Sequence, residues 1–228
     1  MATLYIVATP IGNLEDVTKR ALRILSEVDL ILCEDTRVTS RLLGHYQIKT
    51  PTLSYHQHSK LQKTDYIIGL LKEGRKLALV SDAGTPGISD PGNKLIEEIT
   101  SSGVALDIVP LPGPSALTAA ASIAGLNMDR FLFLGFPPAK KKRQRFFEEM
   151  VSSKYQVIFF ESPYRIVKTL KDLQAEAESR NLDPKVAVCR ELTKKFETVY
   201  RGKVKDVIEK IEQGVIKGEF VVVVEGKN

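Results

Sequence analysis

The sequence predicts an α/β fold made of two α/β domains, residues 1–115 around a parallel sheet and residues 116–228 around a mixed one. Three observations carry this. Short apolar runs alternate with stretches of helical periodicity, which is the pattern of βαβ units. One run, Leu77-Ala-Leu-Val80, is apolar at every position, as a strand covered on both faces must be. After Gly125 the alternation restarts with more strands per helix, and the Pro- and Gly-rich stretch 110–125 marks the boundary. The expected ligand cleft lies between the two halves.

Taken in order, Leu4 to Ala8 is a buried strand, and Thr9-Pro-Ile-Gly-Asn13 is a turn in which Asn13 or Asp16 can cap the next helix. Val17, Ala21, Ile24, Leu25 and Val28 recur at i, i+4, i+7, i+8 and i+11, one apolar helix face. Asp29 to Cys33 is a strand, followed by a short helix to about Gly44, a strand over Ile48 to Leu53 and a helix over Leu61 to Lys72 that Gly74 stops. After Leu77 to Val80 come a helix bearing Leu95, Ile96 and Ile99, a strand over Leu106 to Val109 that Pro110 ends, and a small-residue helix over Ser115 to Ala124. In the second half, Phe131 to Phe136, Tyr155 to Phe160, Val186 to Cys189, Thr198 to Arg201 and Phe220 to Val224 read as strands. Helices are expected over Ala139 to Val151, from an N-cap at Ser162 with Pro163 at N1 to about Arg180, and over Val204 to Ile211.

The loop after Leu77–Val80, Ser81-Asp-Ala-Gly-Thr-Pro-Gly-Ile-Ser-Asp-Pro-Gly92, is so dense in Gly and Pro that its backbone shape is fixed. A strand, a rigid loop and a helix in that order place the loop at the carboxyl edge of a parallel sheet, where such folds bind ligands. Residues 87–94 space two glycines as a P-loop does, but Asn93 stands where the lysine belongs. Asp82 and Asp90 would repel a phosphate, and Pro91 removes a backbone donor. Carboxylates suit ribose hydroxyls, an amino group or a cation instead. A rigid turn with helix-capping aspartates is the competing reading of the same residues.

The 228 residues are 43% hydrophobic and 27% charged, ordinary for a globular protein. A net charge of +5 permits an anionic partner without requiring one. Cys33 and Cys189, both in strand-like runs, make neither a disulfide framework nor a metal site, so a reducing, cytoplasmic setting is expected. The first residues lack the basic and then apolar pattern of a leader, and no stretch is long and apolar enough to span a membrane. His56 and His58 lie two apart with no third ligand nearby, so zinc is not expected.

Six segments recur in one order: Leu4-Tyr-Ile-Val-Ala-Thr-Pro-Ile-Gly-Asn13, Glu34-Asp-Thr-Arg37, Ser81-Asp-Ala-Gly-Thr-Pro86, Pro112-Gly-Pro-Ser115, Glu161-Ser-Pro-Tyr-Arg165 and Arg190-Glu-Leu-Thr-Lys194. Together they resemble the tetrapyrrole methylase fold family, which includes diphthine synthase, and within it the branch acting on small-subunit ribosomal RNA. The likeness covers essentially the whole chain. It implies a class III methyltransferase with S-adenosylmethionine (SAM) in the interdomain cleft, no metal, no membrane and a homodimer. It also implies 2′-O-methylation of a decoding-site cytidine in 16S rRNA, with the small ribosomal subunit as the expected partner and bare RNA as the alternative substrate. By position in the family pattern, SAM contacts are expected from Pro10, Ile11, Asp82, Gly84, Thr85, Ile88, Ser115 and Ala116, and from Phe160, Cys189 and Phe220. A sulfonium cation without phosphate agrees with a loop lined by Asp rather than Lys.

A ribose hydroxyl must be aligned with the methyl group and lose its proton. The catalytic candidates are Glu34, Asp35 and Arg37 from the first half and Arg165, Glu191 and Lys194 from the second. Arg37 and Arg165 would hold phosphates or bridge carboxylates, and a carboxylate or a neutral Lys194 would take the proton. Structural ion pairs are the competing reading for each one singly. The run Lys140-Lys-Lys-Arg-Gln-Arg145 is expected to begin a helix and to meet RNA phosphates. Two other functions stand as alternatives: a methyltransferase of tetrapyrroles or another small molecule on the same fold, and a non-catalytic RNA-binding module. The sequence shows no aromatic-rich stacking platform to support the latter.

Overall fold

Five apolar runs of the first half form one all-parallel sheet in the computed structural model, which describes residues 2–56 and 61–227. Its strands are β1 (Ala2–Val7), β2 (Leu30–Cys33), β3 (Thr52–Ser54), β4 (Lys76–Leu79) and β5 (Leu106–Leu111), in the order β3-β2-β4-β1-β5. Between them run α1 (Lys19–Glu27), α2 (Thr36–His45), α3 (Leu61–Lys72) and α4 (Gly92–Ser101). Alternate strand residues point to opposite faces and both faces are buried. Leu4, Ile6, Leu32, Leu77 and Leu79 pack with Ile67, Leu71, Leu95 and Ile99 of α3 and α4. Val7, Ile31, Cys33, Ala78 and Val80 pack with Ala21, Ile24, Leu25 and Leu43 of α1 and α2. These elements make up the first of two compact units, Met1–Ser115 and Ala116–Asn228.

The second unit carries α5 (Ala116–Ile123), β6 (Phe131–Phe133), α6 (Arg143–Ser152), β7 (Gln156–Glu161), α7 (Ile166–Ser179), β8 (Lys185–Arg190), β9 (Thr198–Lys203), α8 (Val204–Glu212) and β10 (Phe220–Val224). Its sheet has the order β6-β7-β10-β8-β9. Only β6 and β7 pair in parallel, and the other three pairings are antiparallel, so the sheet is mixed. One face packs Val157, Phe159, Val188, Phe220 and Val222 against Phe147, Leu170, Leu173 and Ile208 of the three long helices. The small residues of α5 lie against β10. No helix among the described residues is long and apolar enough to cross a membrane.

Several boundaries differ from the sequence reading, each for a local reason. Pro110 does not end its strand, which runs on to Leu111. β5 is an edge strand, where a residue without an N–H is tolerated. Thr18, not Asn13 or Asp16, caps α1 by accepting from Ala21 N–H, while Asn13 caps a short 3₁₀ turn over Leu14–Asp16. The basic run begins a helix only from its fourth residue. Lys142 sits at φ 65° in the left-handed region, and α6 starts only at Arg143. Ser162 does not cap α7; residues 163–165 make a turn and the helix starts at Ile166. The strand expected from Ile48 is confined to Thr52–Ser54, and the one expected to reach Phe136 stops at Phe133.

The glycines of the loops and of the helices should respond in opposite directions. Gly84 stands at φ +84°, and a Cβ there would meet Ile11 Cγ2 at 3.4 Å. Gly84→Ala should therefore cost about 1–2 kcal/mol of unfolding free energy. Gly69, inside α3 with nothing within 4 Å of an added Cβ, should gain about 0.5–1 kcal/mol as Gly69→Ala. Urea titrations of the two variants check the opposite signs.

Candidate active site

In a parallel sheet every strand delivers its following loop to one edge. β1 and β4 are neighbours, and the chain leaves them toward opposite faces, to α1 and to α4. That divergence is the topological switch point at which such sheets bind ligands. The two loops are joined there. Thr9 N–H donates to Gly84 O at 2.9 Å, and Gly84 N–H returns a bond to Thr9 O at 3.0 Å. Thr9 Oγ1 also donates to Ser81 O, and Thr85 Oγ1 reaches Pro114 O at 3.2 Å, drawing in the loop after β5. Gly113 is needed in that loop, because a Cβ would stand 2.9 Å from Ala8 Cβ. Asp90 Oδ1 accepts from Gly87 N–H at 2.8 Å and Gly92 N–H at 2.7 Å. Asp90 thus closes the loop on itself, as the turn-and-cap reading has it, while Asp82 stays turned outward.

Carboxylates crowd this edge. Asp82 Oδ1 accepts from Asp35 N–H at 3.0 Å, which places the β2 and β4 loops side by side. Desolvation, followed by the charges of Asp35 and Asp90, raises the Asp82 pKa above the ordinary aspartate value, although the Asp35 N–H and Arg37 oppose this. Glu34 is raised by burial first and then by Asp82, Asp90 and Asp35. Asp35 goes the other way, to about 2, because Arg37 bonds it through both side chain and backbone. Its Oδ2 lies 2.6 Å from Arg37 Nη2, and the arginine side chain is 85% exposed. Two carboxylates with raised pKa values therefore stand beside one whose pKa is lowered.

The other expected cofactor contacts of this unit are carried by the same loops. Pro10 and Ile11 are buried, Ile11 touches the Gly84 position, and Ile88 is exposed on the loop. Ser115 follows Pro114 directly, and Ala116 begins the second unit. His56 lies just beyond β3, and His58 falls outside the described residues. Among the described residues, no three His, Cys, Asp or Glu are grouped to hold a metal ion.

In the second unit, Phe160 pairs across β10 with Val221, which pairs with Cys189, so these three share one face. Phe220 points to the opposite face, 2% exposed within the helix-covered core, so the structure does not bring its side chain together with the other two. Burial pushes the Cys189 thiol up to about 11. Arg165 bridges rather than stands alone: its Nη2 lies 2.8 Å from Glu161 Oε1, and its Nη1 donates to Pro137 O at 3.0 Å. Thr169, fully buried, donates to Glu161 Oε2 at 2.7 Å and accepts from Arg143 Nη2 at 2.8 Å. Arg143 also binds Asp172, so it is a structural anchor and not one of the phosphate contacts expected of the basic run.

Lys194 corrects the expectation of a neutral base. Burial alone would lower its pKa, but Glu191 Oε1 and Glu219 Oε2, each 2.9 Å from Nζ, prevail and raise it. Glu191 is lowered in turn, its burial outweighed by Lys194 and the Glu219 N–H. The lysine is therefore an ammonium throughout the neutral range. This pairing is present above the ordinary glutamate value and below the ordinary lysine value, and is lost only toward the extremes. Sequence reasoning missed Glu219, which reaches Glu191 and Lys194 from just before β10, and Glu161, whose partners are Arg165 in the turn that follows and Thr169 on α7.

Across residues 3–208 the sequence matches the family described as Tetrapyrrole (Corrin/Porphyrin) Methylases. The chain belongs to the tetrapyrrole methylase family. A relative from Thermotoga maritima named ribosomal RNA small subunit methyltransferase I is 47% identical over 227 residues, covering 100% of both chains. One of the same name from Bacillus subtilis is 44% identical, covering 100% of this chain and 76% of the relative. Solved structures of other tetrapyrrole methylases share the fold. A cobalt precorrin-4 methyltransferase superposes with a TM-score of 0.67 at 18% identity, covering 98% of this chain and 94% of that one. A uroporphyrin-III C-methyltransferase from Thermus thermophilus gives 0.65 at 19%, with the same coverage. The six segments that carried the resemblance surround the edge described above and the two ion-pair clusters of the second unit.

The Glu161 cluster makes a stability prediction. Thr169→Val keeps the shape but leaves a buried carboxylate oxygen without its donor, and should cost about 1–3 kcal/mol. Thr169→Ser should recover most of that, and urea unfolding of the two variants compares them.

Proposed function

We propose that this tetrapyrrole methylase is a SAM-dependent ribosomal RNA methyltransferase that modifies the 2′-hydroxyl of a decoding-site cytidine in the small-subunit RNA. The observation that carries the reading is the likeness over 100% of both chains to a relative named for small-subunit ribosomal RNA methylation. The structures of corrin and porphyrin enzymes, at 18–19% identity, speak for the fold and not for a tetrapyrrole substrate.

The residues at the sheet edge suit SAM by their chemistry. Its sulfonium is a cation, and Glu34, Asp35 and Asp82 supply negative charge beside a backbone junction that offers no lysine. Pro10, Ile11, Gly84, Thr85, Ile88, Ser115 and Ala116 would hold it by backbone and packing; of the second unit's candidates, Phe160 and Cys189 could add side-chain packing and Phe220 its backbone alone. When bound, SAM supplies an electrophilic methyl group. The chain's task is then to align a ribose hydroxyl and accept its proton. Glu34 is the carboxylate assigned to that proton, because its raised pKa makes it a stronger base than an ordinary glutamate. Asp35 is unsuited, being held near 2 by Arg37, and Lys194 is unsuited as an ammonium. Arg37, fixed on one edge by Asp35 and otherwise in solvent, is placed to meet a phosphate. Arg165 and Glu191 with Lys194 stiffen the turns that follow β7 and β8.

Glu34 must be ionised to act. Its contribution is present above its folded-state pKa and lost as pH falls through it, and that limb should lie above the ordinary glutamate range. In single-turnover assays on small-subunit RNA, Glu34→Gln should slow the chemical step by about 100-fold while SAM affinity stays within a few-fold of wild type. A Glu34→Gln rate within threefold of wild type would remove Glu34 from this role.

A further inference from the structure

The parallel pair β6–β7 ends in two turns that the methyl-transfer chemistry does not use. Beyond β7, Tyr164 is 95% exposed, and beyond β6, Phe136 is 52% exposed. Neither is a loose tip. Arg165, paired with Glu161, donates to Pro137 O at 3.0 Å and so ties the turn bearing Tyr164 to the turn bearing Phe136. Phe136 rests edge-on against Phe160, with centroids 5.5 Å apart. The chain then passes through Lys140, Lys141 and Lys142, all exposed. Arg143 anchors that turn from below, donating to Pro138 O at 3.1 Å and to Asp172 and Thr169 at 2.8 Å. Among the described residues no carboxylate pairs with any of the three lysines.

Folding does not account for this arrangement. A tyrosine ring left in water gains no burial, and three adjacent lysines repel one another, yet the network of Glu161, Arg165, Thr169 and Arg143 holds them together on one rigid edge. Flat aromatic faces beside a row of cations are what an unpaired nucleic acid strand requires, the bases stacking while the phosphates are neutralised. A duplex, whose bases are already stacked, has no use for the rings.

We propose that Tyr164, Phe136 and Lys140–Lys142 form a docking platform for an unpaired RNA strand, with Tyr164 as the stacking residue. The proposal rests on the RNA-substrate reading and adds where the strand is gripped. It also revises the view that the chain lacks a stacking surface: the aromatics are separated in sequence, and the β6–β7 pairing, the Phe136–Phe160 contact and the Arg165 bridge bring their turns together.

The test is fluorescence anisotropy of the full chain with a labelled single-stranded RNA of about twelve nucleotides, and with the same RNA as a duplex. Tyr164→Ala should weaken single-strand binding by about 5- to 150-fold, and Tyr164→Phe should restore it. Lys140→Ala with Lys141→Ala should flatten the salt dependence by about 0.7 per lost phosphate contact. SAM affinity and sedimentation behaviour should not change. Unaltered single-strand binding in Tyr164→Ala, or wild-type binding of the duplex as tight as the single strand, overturns the platform. So does a change of oligomeric state in Tyr164→Ala, which would make this edge an interface between copies. Methylation of small-subunit RNA by the wild type is measured separately. Its absence would sink the function and leave the platform to be judged on binding alone.

Discussion

The reciprocal pair of hydrogen bonds between Thr9 and Gly84 is the constraint on which the first unit's chemistry depends. A parallel sheet sends all its loops to one edge, but it does not say which loops touch. Here the loops after β1 and β4 depart for opposite faces and would part without a bridge. Backbone bonds of 2.9 and 3.0 Å hold them together at the point of divergence. The positive φ of Gly84 makes the bridge possible, and Thr85 extends it to the loop after β5. Everything proposed for the site, including the position of Asp82 and the packing of Ile11, follows from that junction.

Charge then decides what the junction can hold. A phosphate cradle aims backbone donors and a lysine at its ligand, whereas here two of the loop's own N–H groups are spent on Asp90. The adjoining carboxylates are not equivalent. Arg37 fixes Asp35 as an anion, while burial, and after it the neighbouring carboxylates, raises Glu34 and Asp82. A cation entering this edge would relieve the repulsion among them. The second unit uses charge differently, in two closed ion-pair clusters that stiffen turns. One of them, through Arg165, reaches across to a neighbouring turn and so shapes the surface proposed to meet RNA.

Much of this was legible from the sequence. The alternation of apolar runs gave the two sheets, and the bounds of Leu61–Lys72 and Phe220–Val224 needed no revision, because both are marked by an unbroken pattern and a clear stop. Pro110 was misjudged because only the strand order reveals that its strand lies on an edge. The late start of α6 depends on a left-handed Lys142, which no propensity would suggest for lysine. Lys194 looked like a possible base because its second carboxylate, Glu219, lies 25 residues away in sequence. Asp90 and Asp82 appeared alike until hydrogen bonding separated the one that closes the loop from the one that faces outward.

The central claim is that the carboxylate-lined edge binds a sulfonium rather than a phosphate. Calorimetric titration of the full chain with SAM and with ATP, in a chelator at neutral pH, tests it most directly when repeated on Asp82→Asn, which keeps an oxygen to accept from Asp35 N–H. The account predicts SAM binding by the wild type, weakened about tenfold in the variant by the loss of roughly 1.4 kcal/mol of charge attraction, with no comparable binding of ATP. ATP binding as tight as that of SAM, or SAM affinity indifferent to the charge at Asp82, would contradict it.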